Sequence, residues 1–365
     1  VTLPRTPDVL VIGGGVIGCA IAREVAATGR RVLVVDRGAL GGEASSAAAG
    51  VLGVAGGSDD GERLALRRAS FALFPALVSA LESETGIDVG FARRGILELA
   101  FSEDAERALG ERVARRRTEG FDVEPLDAAG VRALEPAANR DVRAGALFSA
   151  DASVVAERLV AACADSARRR GATLVPGTPV LAIERSGERV ARVRAGDDWL
   201  EPEAVVIAAG AWSSRLPGLE AGPSIRPIRG EMMALRPARP IGRVLTSGDA
   251  FLVARPDGEV WVGATFDDVG FVKGVTPAGL RTLAGHVERL VPELAAAPIV
   301  RAWSGLRPML EGGPVIGRAP SLRNVLIAAG HHRSGILLAP ITAVTVGAYL
   351  DGRQPAAESR AFAPR

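Results

Sequence analysis

The hydrophobic pattern opens on Val9 to Ile12, a short unbroken run held between Asp8 and three glycines. A continuous run of β-branched residues and leucine fits a strand buried on both faces. From Val16 to Thr28 the period changes. Ile17, Ala20, Ile21, Glu24 and Val25 recur at three and four, the spacing of a helix, and Gly29 closes it. Val32 to Val35 is a second buried run, which completes a βαβ unit of about 30 residues.

Further along, residues 62 to 85 and 102 to 118 carry helical spacing, the second with a highly charged face. Asp151 or Ser153 is placed to cap a helix that runs to Arg170 and ends at Gly171. "VVIAAGAW" (205–212) is another buried strand leaving through a glycine. Between about 225 and 300 the period drops to two: "GEMMAL", "VLTSGDA" and "FLVARPDGEVWVGATF" predict antiparallel strands, with Pro256-Asp257-Gly258 as a hairpin turn. "NVLIAAGHHRSGILLAP" then returns to strand, loop and helix. The fold class expected is α/β: a Rossmann-like, glutathione-reductase-type dinucleotide domain with an inserted antiparallel-sheet domain. The first comprises 1–80, 146–224 and 301–365, and the second 81–145 and 225–300.

Composition narrows the function. At 365 residues two domains are the natural expectation. The 44 basic and 42 acidic residues nearly balance, and no basic block is interleaved with aromatics, so nucleic acid is not expected as a partner. Cys19 and Cys163 give neither a disulfide framework nor metal-ligand spacing, and no metal is expected. The apolar stretch at 335–350 falls short of about 18 uninterrupted residues, so no membrane span is expected and the compartment expected is cytoplasmic.

Gly13, Gly15 and Gly18 form G-x-G-x-x-G between the first strand and its helix, and Asp36 ends the next strand 23 residues after Gly13. Gly13 permits the tight turn, Gly15 lets a pyrophosphate approach the backbone, and Gly18 brings helix and strand together. The helix N-terminus then faces the phosphates with free N–H groups and its positive dipole end. An acid at Asp36 suits a free ribose diol, hence FAD or NAD. The glycine- and alanine-rich stretch 38–61 that follows reads as a loop in contact with the cofactor.

With "ASSAAAGVLG" (44–53), "AAGAWS", "GLRPMLEGGPVIG" and "AAGHHRSGILLAP" in this order and at compatible spacing, essentially the whole chain resembles the D-amino-acid oxidase superfamily of FAD enzymes. Within it, "SAAAG" and "GH-x-R-x-GILLAP" resemble the glycine oxidase branch of the thiamine-thiazole pathway. The resemblance implies one non-covalent FAD, a small amino-acid substrate, O2 as acceptor and a homo-oligomer, a tetramer in many relatives. It implies hydride transfer from Cα to flavin N5, imine hydrolysis and release of H2O2. Val16 and Ile17 fall at the pyrophosphate turn, and Asp36 with Arg37 at the adenosine ribose. Ala44, Ser45 and Ser46 run along the cofactor, and Ala48, Ala49, Gly50 and Val51 lie against the isoalloxazine. Val180 matches the adenine position, with Gly210 and Trp212 of "AAGAWS" also on the cofactor. Gly330, His331, His332, Arg333, Ser334, Gly335, Ile336 and Leu337 match the segment around the flavin pyrimidine end. Arg307, in "GLRP", matches the arginine that pairs with the substrate carboxylate, and Arg333 also faces the substrate. His331 and His332 are expected to pack against the cofactor rather than to move protons.

Two positions depart from the branch. Phe251 stands where a tyrosine would hydrogen-bond the substrate carboxylate, and Val51 replaces a methionine beside the flavin. They open the substrate to glycine, an N-substituted glycine or a D-amino acid. The alternatives are a D-amino-acid or secondary-amine dehydrogenase with a quinone acceptor, an NAD dehydrogenase, and a flavin-bearing RNA-modification module. The last would leave Arg307 idle and lacks a basic face.

Overall fold

The computed structural model describes residues 3–57, 60–219, 223–239 and 241–364. Ser58 and Asp59, the tail of the loop expected at the cofactor, lie outside the described residues. The chain opens with β1 (Val9–Ile12), α1 (Val16–Ala26) and β2 (Val32–Val35), followed by α2 (Ala44–Ala47) and β3 (Val51–Leu52). The helical stretch expected at 62–85 is two helices, α3 (Gly61–Ala72) and α4 (Phe74–Thr85), with Pro75 in the first turn of the second. Proline is tolerated there because that N–H has no intrahelical partner. Next come β4 (Ile96–Ala100), α5 (Glu103–Thr118), β5 (Val123–Asp127), α6 (Ala128–Leu134), β6 (Ala144–Phe148) and β7 (Ala152–Ser153). After α7 (Ala156–Arg169) lie β8 (Thr173–Val175), β9 (Val180–Ser186), β10 (Arg189–Ala195), β11 (Asp198–Leu200) and β12 (Ala204–Ile207). The inserted region supplies β13 (Arg226–Leu235), β14 (Val244–Ser247), β15 (Ala250–Ala254), β16 (Val260–Gly263), α8 (Pro277–Leu290) and β17 (Ile299–Met309). The chain closes with β18 (Val315–Arg318), β19 (Val325–Ala329), α9 (Gly335–Leu350) and the short α10 (Ala357–Arg360).

Two large sheets organise these elements. The first runs β18-β19-β12-β1-β2-β8, parallel except for the antiparallel edge pair β18–β19. Its middle strands are buried on both faces, which is why Val9–Ile12 and Val32–Val35 show no polar alternation. A small antiparallel sheet, β11-β10-β9, flanks it. The second large sheet runs β17-β13-β16-β15-β14-β4-β6-β5 and is antiparallel apart from β14–β4. Both β6 and β17 belong to it, so the expected boundaries at 146 and 301 cut through strands.

One helix start was misread. Asp151 and Ser153 cap nothing: Val155 precedes α7, and Ser153 pairs with Val51 across β3 and β7. Asp151 is fully buried, and its carboxylate accepts N–H bonds from Val54, Ala55 and Gly56 at 2.9–3.1 Å. The acid thus fastens the loop after β3. Burial pushes its carboxyl up, and the three backbone donors oppose that shift.

Counted with the short turn before it, His332–Leu350 reaches 19 residues, and Gly61–Thr85 reaches 25; both are long and apolar enough to cross a membrane. The apolar run at 335–350 reaches that length only together with the polar turn His332–Ser334. Here α9 packs against α1 and α3 in the core. Pro340 interrupts α9, since proline has no N–H and its ring crowds the preceding turn. Ser70 of α3 fills the break. Its hydroxyl donates to the Leu337 carbonyl at 2.6 Å and accepts the Ile341 N–H at 3.3 Å.

Candidate active site

A cavity of about 1110 Å³ runs between the parallel sheet and the eight-stranded sheet. At one end the β1–α1 turn forms its wall. Gly13 has φ +112°, and a Cβ there would collide with the Ala208 carbonyl; a Cβ on Gly18 would collide with the Gly13 carbonyl. Neither position admits alanine without moving backbone. Gly15 precedes α1 without a side-chain cap, and the Ser45 hydroxyl accepts the Val16 N–H at 2.9 Å. Asp36 accepts the Gly14 N–H at 2.7 Å and the Gly38 N–H at 2.8 Å, one on each oxygen. A carboxylate has room for further donors, so ribose hydroxyls can still reach it.

Beyond Asp36 lies an arrangement that sequence reasoning missed. The Arg37 guanidinium lies 3.7 Å over the Trp212 ring, Trp212 packs on Phe271 at 5.1 Å, and Arg215 covers Phe271 at 4.1 Å. Val180 lines the same end. "AAGAW" marked Trp212, but Phe271 comes from a loop after β16 whose role no local pattern discloses. Lys273, from that loop, reaches Glu43 at 2.8 Å and ties it to the segment before α2.

The alanine-rich segment follows the cavity wall. Ala44, Ser45, Ala48, Ala49, Gly50 and Val51 line it, whereas Ser46 turns its hydroxyl to the Gly41 carbonyl at 2.7 Å. Gly50 has φ +74°, and a Cβ there would strike the Val154 carbonyl. Trp303 donates to the Ala47 carbonyl at 3.2 Å, which pins the segment to β17.

At the other end of the cavity α9 points its N-terminus inward through Gly330, His331, His332, Arg333, Ser334, Gly335 and Ile336; Leu337 is buried one step behind. The first-turn N–H groups of a helix lack intrahelical partners and favour negative charge. His331 is buried, and burial lowers its imidazole to about 3. Its Nε2 lies 3.0 Å from the Thr342 hydroxyl, which itself donates to the Leu338 carbonyl. Nε2 therefore carries the proton. His332 adopts a left-handed backbone, φ +48°, and sets its ring edge-on to Phe266 at 5.8 Å.

Arg307 lies within β17, and its side chain rests over Gly230 of β13, where a Cβ would meet the guanidinium. Nη1 donates to the Thr265 carbonyl at 3.0 Å. Burial, and next the charge of Arg333, bring it down to about 10, so it stays protonated at neutral pH. Phe251 on β15 leans over Gly263 of β16 in the same way. Gly230 and Gly263 leave room for these two side chains to lie along the sheet, and both line the cavity. Arg333 lines the cavity too, but its guanidinium pairs with Asp249 at 3.0 Å and lies 5.4 Å over Phe266, half-exposed.

These features fit FAD. The glycine turn leaves room for a pyrophosphate, the aromatic-cation stack suits an adenosine, and the α9 N-terminus suits an electron-rich ring. The DAO family model, "FAD dependent oxidoreductase", matches residues 8–348. Glycine oxidase of Geobacillus kaustophilus is 35% identical over 362 residues, 97% of this chain and 96% of the relative. The bifunctional protein ThiO/ThiG of Trichormus variabilis is 33% identical over 357 residues, 94% of this chain and 53% of that longer protein. The structure of glycine oxidase from Bacillus cereus superposes with a TM-score of 0.92 at 30% identity, covering 98% of this chain and 99% of that one. The chain belongs to the DAO family of FAD-dependent oxidoreductases and is an amino-acid oxidase of the glycine oxidase-like type, with FAD as its cofactor.

Proposed function

We propose that the protein oxidises glycine or a related small amino acid at Cα, with release of H2O2, and serves thiamine thiazole formation. The observation that carries this reading is Arg307, a half-buried guanidinium laid over Gly230 and lining the cavity together with Phe251. Its planar fork matches a carboxylate at two points. When bound, non-covalent FAD supplies the two-electron acceptor for this oxidation.

The protein's own residues bind and orient. Arg307 takes the substrate carboxylate, and the Thr265 carbonyl keeps the fork in place. The apolar wall of Ala49, Met232, Ala264, Val51 and Phe251 excludes water from the opposite side of the substrate. No side chain is needed as a base for a neutral amine, and His331, buried and neutral, holds Thr342 and the first turns of α9 instead. The α9 N-terminus would favour negative charge on the ring of a bound cofactor. Burial raises both thiols, Cys163 to about 12, and neither supports a covalent link to FAD.

A second reading is a dehydrogenase that passes electrons to a membrane quinone. Phe266, Val269 and Val272 favour it, as exposed apolar residues on the loop beside the cavity. One experiment separates the two. Purified yellow protein is given glycine, sarcosine, D-alanine and D-proline in air, and peroxide is measured with and without a quinone. Peroxide without added acceptor supports the oxidase. Turnover only with quinone supports the dehydrogenase, and acid precipitation that leaves the colour in the pellet refutes non-covalent FAD.

A further inference from the structure

The cavity continues past Phe251. Glu98, Thr246, Phe251 and Gly263 stand side by side in register across β4, β14, β15 and β16, so the first three side chains share one face of the sheet. All three line the cavity, as does Arg112 from α5. At about 4.8 Å between strands, Glu98 starts roughly 10 Å from Phe251 along this row. An acid is out of place here, since Ile96 and Ala100, two residues to either side on the same face, are both buried apolar residues.

Arg112 is the ion partner of Glu98, through Oε1. Fastening α5 to the sheet needs no more than that oxygen. Among the described residues no hydrogen bond joins the second oxygen, and the side chain keeps 18% of its surface open. Burial pushes the Glu98 carboxyl up, and the charge and hydrogen bond of Arg112 oppose this. The Thr246 hydroxyl stands between it and Phe251.

We propose that Glu98 is a specificity residue that receives the distal end of the substrate: a hydrogen-bond donor, ammonium or hydroxyl, carried on the nitrogen or Cα of the amino acid. The inference rests on Arg307 holding the carboxylate at the near end. The cavity then presents a cation, an apolar stretch at Phe251, a hydroxyl at Thr246 and an acceptor at Glu98. Glycine fills only the first part, and the loss of a tyrosine hydroxyl at Phe251 falls hardest on such a short substrate.

The test uses holoprotein and unreactive ethers, so binding is read apart from turnover. Calorimetric titration compares (2-aminoethoxy)acetate with its isostere propoxyacetate, and diglycolate supplies an anionic end. The wild type should bind the aminoethyl ether at least about tenfold more tightly than the propyl ether, as for one hydrogen bond to a charged group. Glu98→Gln should erase that ratio. Equal affinities in the wild type, or no binding of either, overturn the proposal. Tightest binding of diglycolate also overturns it and assigns this end to Arg112. The wild-type comparison stands even if the variant fails to fold. Absence of peroxide in air from glycine, sarcosine, D-alanine and D-proline alike, alongside an intact aminoethyl preference, refutes the oxidase reading and not this site.

Discussion

The two ends of the cavity are built from different material. At the cofactor end the close approaches are made by backbone, the glycine turn of β1–α1, the Gly50 bend and the first turn of α9, with side chains entering at Asp36 and the Arg37–Trp212 stack. At the proposed substrate end they are side chains, Arg307, Phe251, Thr246 and Glu98, drawn from four strands of one sheet, only Thr246 and Phe251 being close in sequence. A backbone cradle tolerates many side chains but not a Cβ at its glycines. A side-chain site keeps its frame while single residues change, so specificity can vary there without disturbing the cofactor.

The largest effect expected sets one glycine of each end against the other. Gly18→Ala drives a Cβ into the Gly13 carbonyl, and the protein should emerge without FAD or fail to fold. Gly230→Ala displaces a side chain, the Arg307 guanidinium. It should keep its flavin spectrum while kcat/KM falls by a hundredfold or more, about 3 kcal/mol. Loss of FAD in Gly230→Ala would erase the distinction between the ends; absorbance of the purified proteins decides it.

Ser70→Ala tests the support behind the cradle. It removes the hydroxyl that joins the Leu337 carbonyl to the Ile341 N–H at the Pro340 break. Unsatisfied buried groups cost about 1–3 kcal/mol each, so the thermal midpoint should drop while the substrate preferences hold. An unchanged midpoint would mean that α9 closes its own ladder.

Much of this division was legible beforehand, and for a physical reason. The cofactor end rests on local patterns: G-x-G-x-x-G, Asp36, the alanine-rich segment and the helix-opening "HHRSGILL" all signal through short-range spacing. The substrate end was legible only through family likeness at Arg307, Arg333 and Phe251. Gly230, Gly263, Glu98 and Phe271 were invisible, because strand register and a loop crossing between sheets create their roles. Asp151 was misread for the opposite reason. Its type and position suited a helix cap, but burial under the β3 loop gave its carboxylate three other donors.

The next effect is on pH dependence. Burial holds His331 at about 3 in the folded protein against an ordinary 6.5, so the unfolded chain binds the extra proton first. Its contribution is full above pH 6.5 and falls by up to about 1.4 kcal/mol per pH unit below that, levelling near pH 3. His286, also lowered by burial, adds the same sign. Between pH 7 and 5, denaturation of His331→Gln should show a shallower loss than the wild type. Parallel slopes would contradict a neutral, buried His331.

The smallest effect is the sharpest on specificity. In Phe251→Tyr the new hydroxyl extends from the ring edge that already overhangs Gly263, toward Arg307. Glycine KM should fall by roughly tenfold, about 1.4 kcal/mol. D-proline can gain affinity by burying apolar area at about 25 cal/mol per Å², and should gain little. Equal effects on both substrates would remove Phe251 from the pocket.

The separation of the two ends is tested most directly in Arg307→Ala, by measuring FAD affinity and glycine turnover on the same preparation. Breaking a buried charge pair costs about 3–5 kcal/mol, so kcat/KM should fall by at least a hundredfold while the FAD dissociation constant stays within a few-fold. Turnover within a few-fold of the wild type, or loss of FAD together with activity, would contradict a substrate end anchored by Arg307 on a cofactor cradle made of backbone.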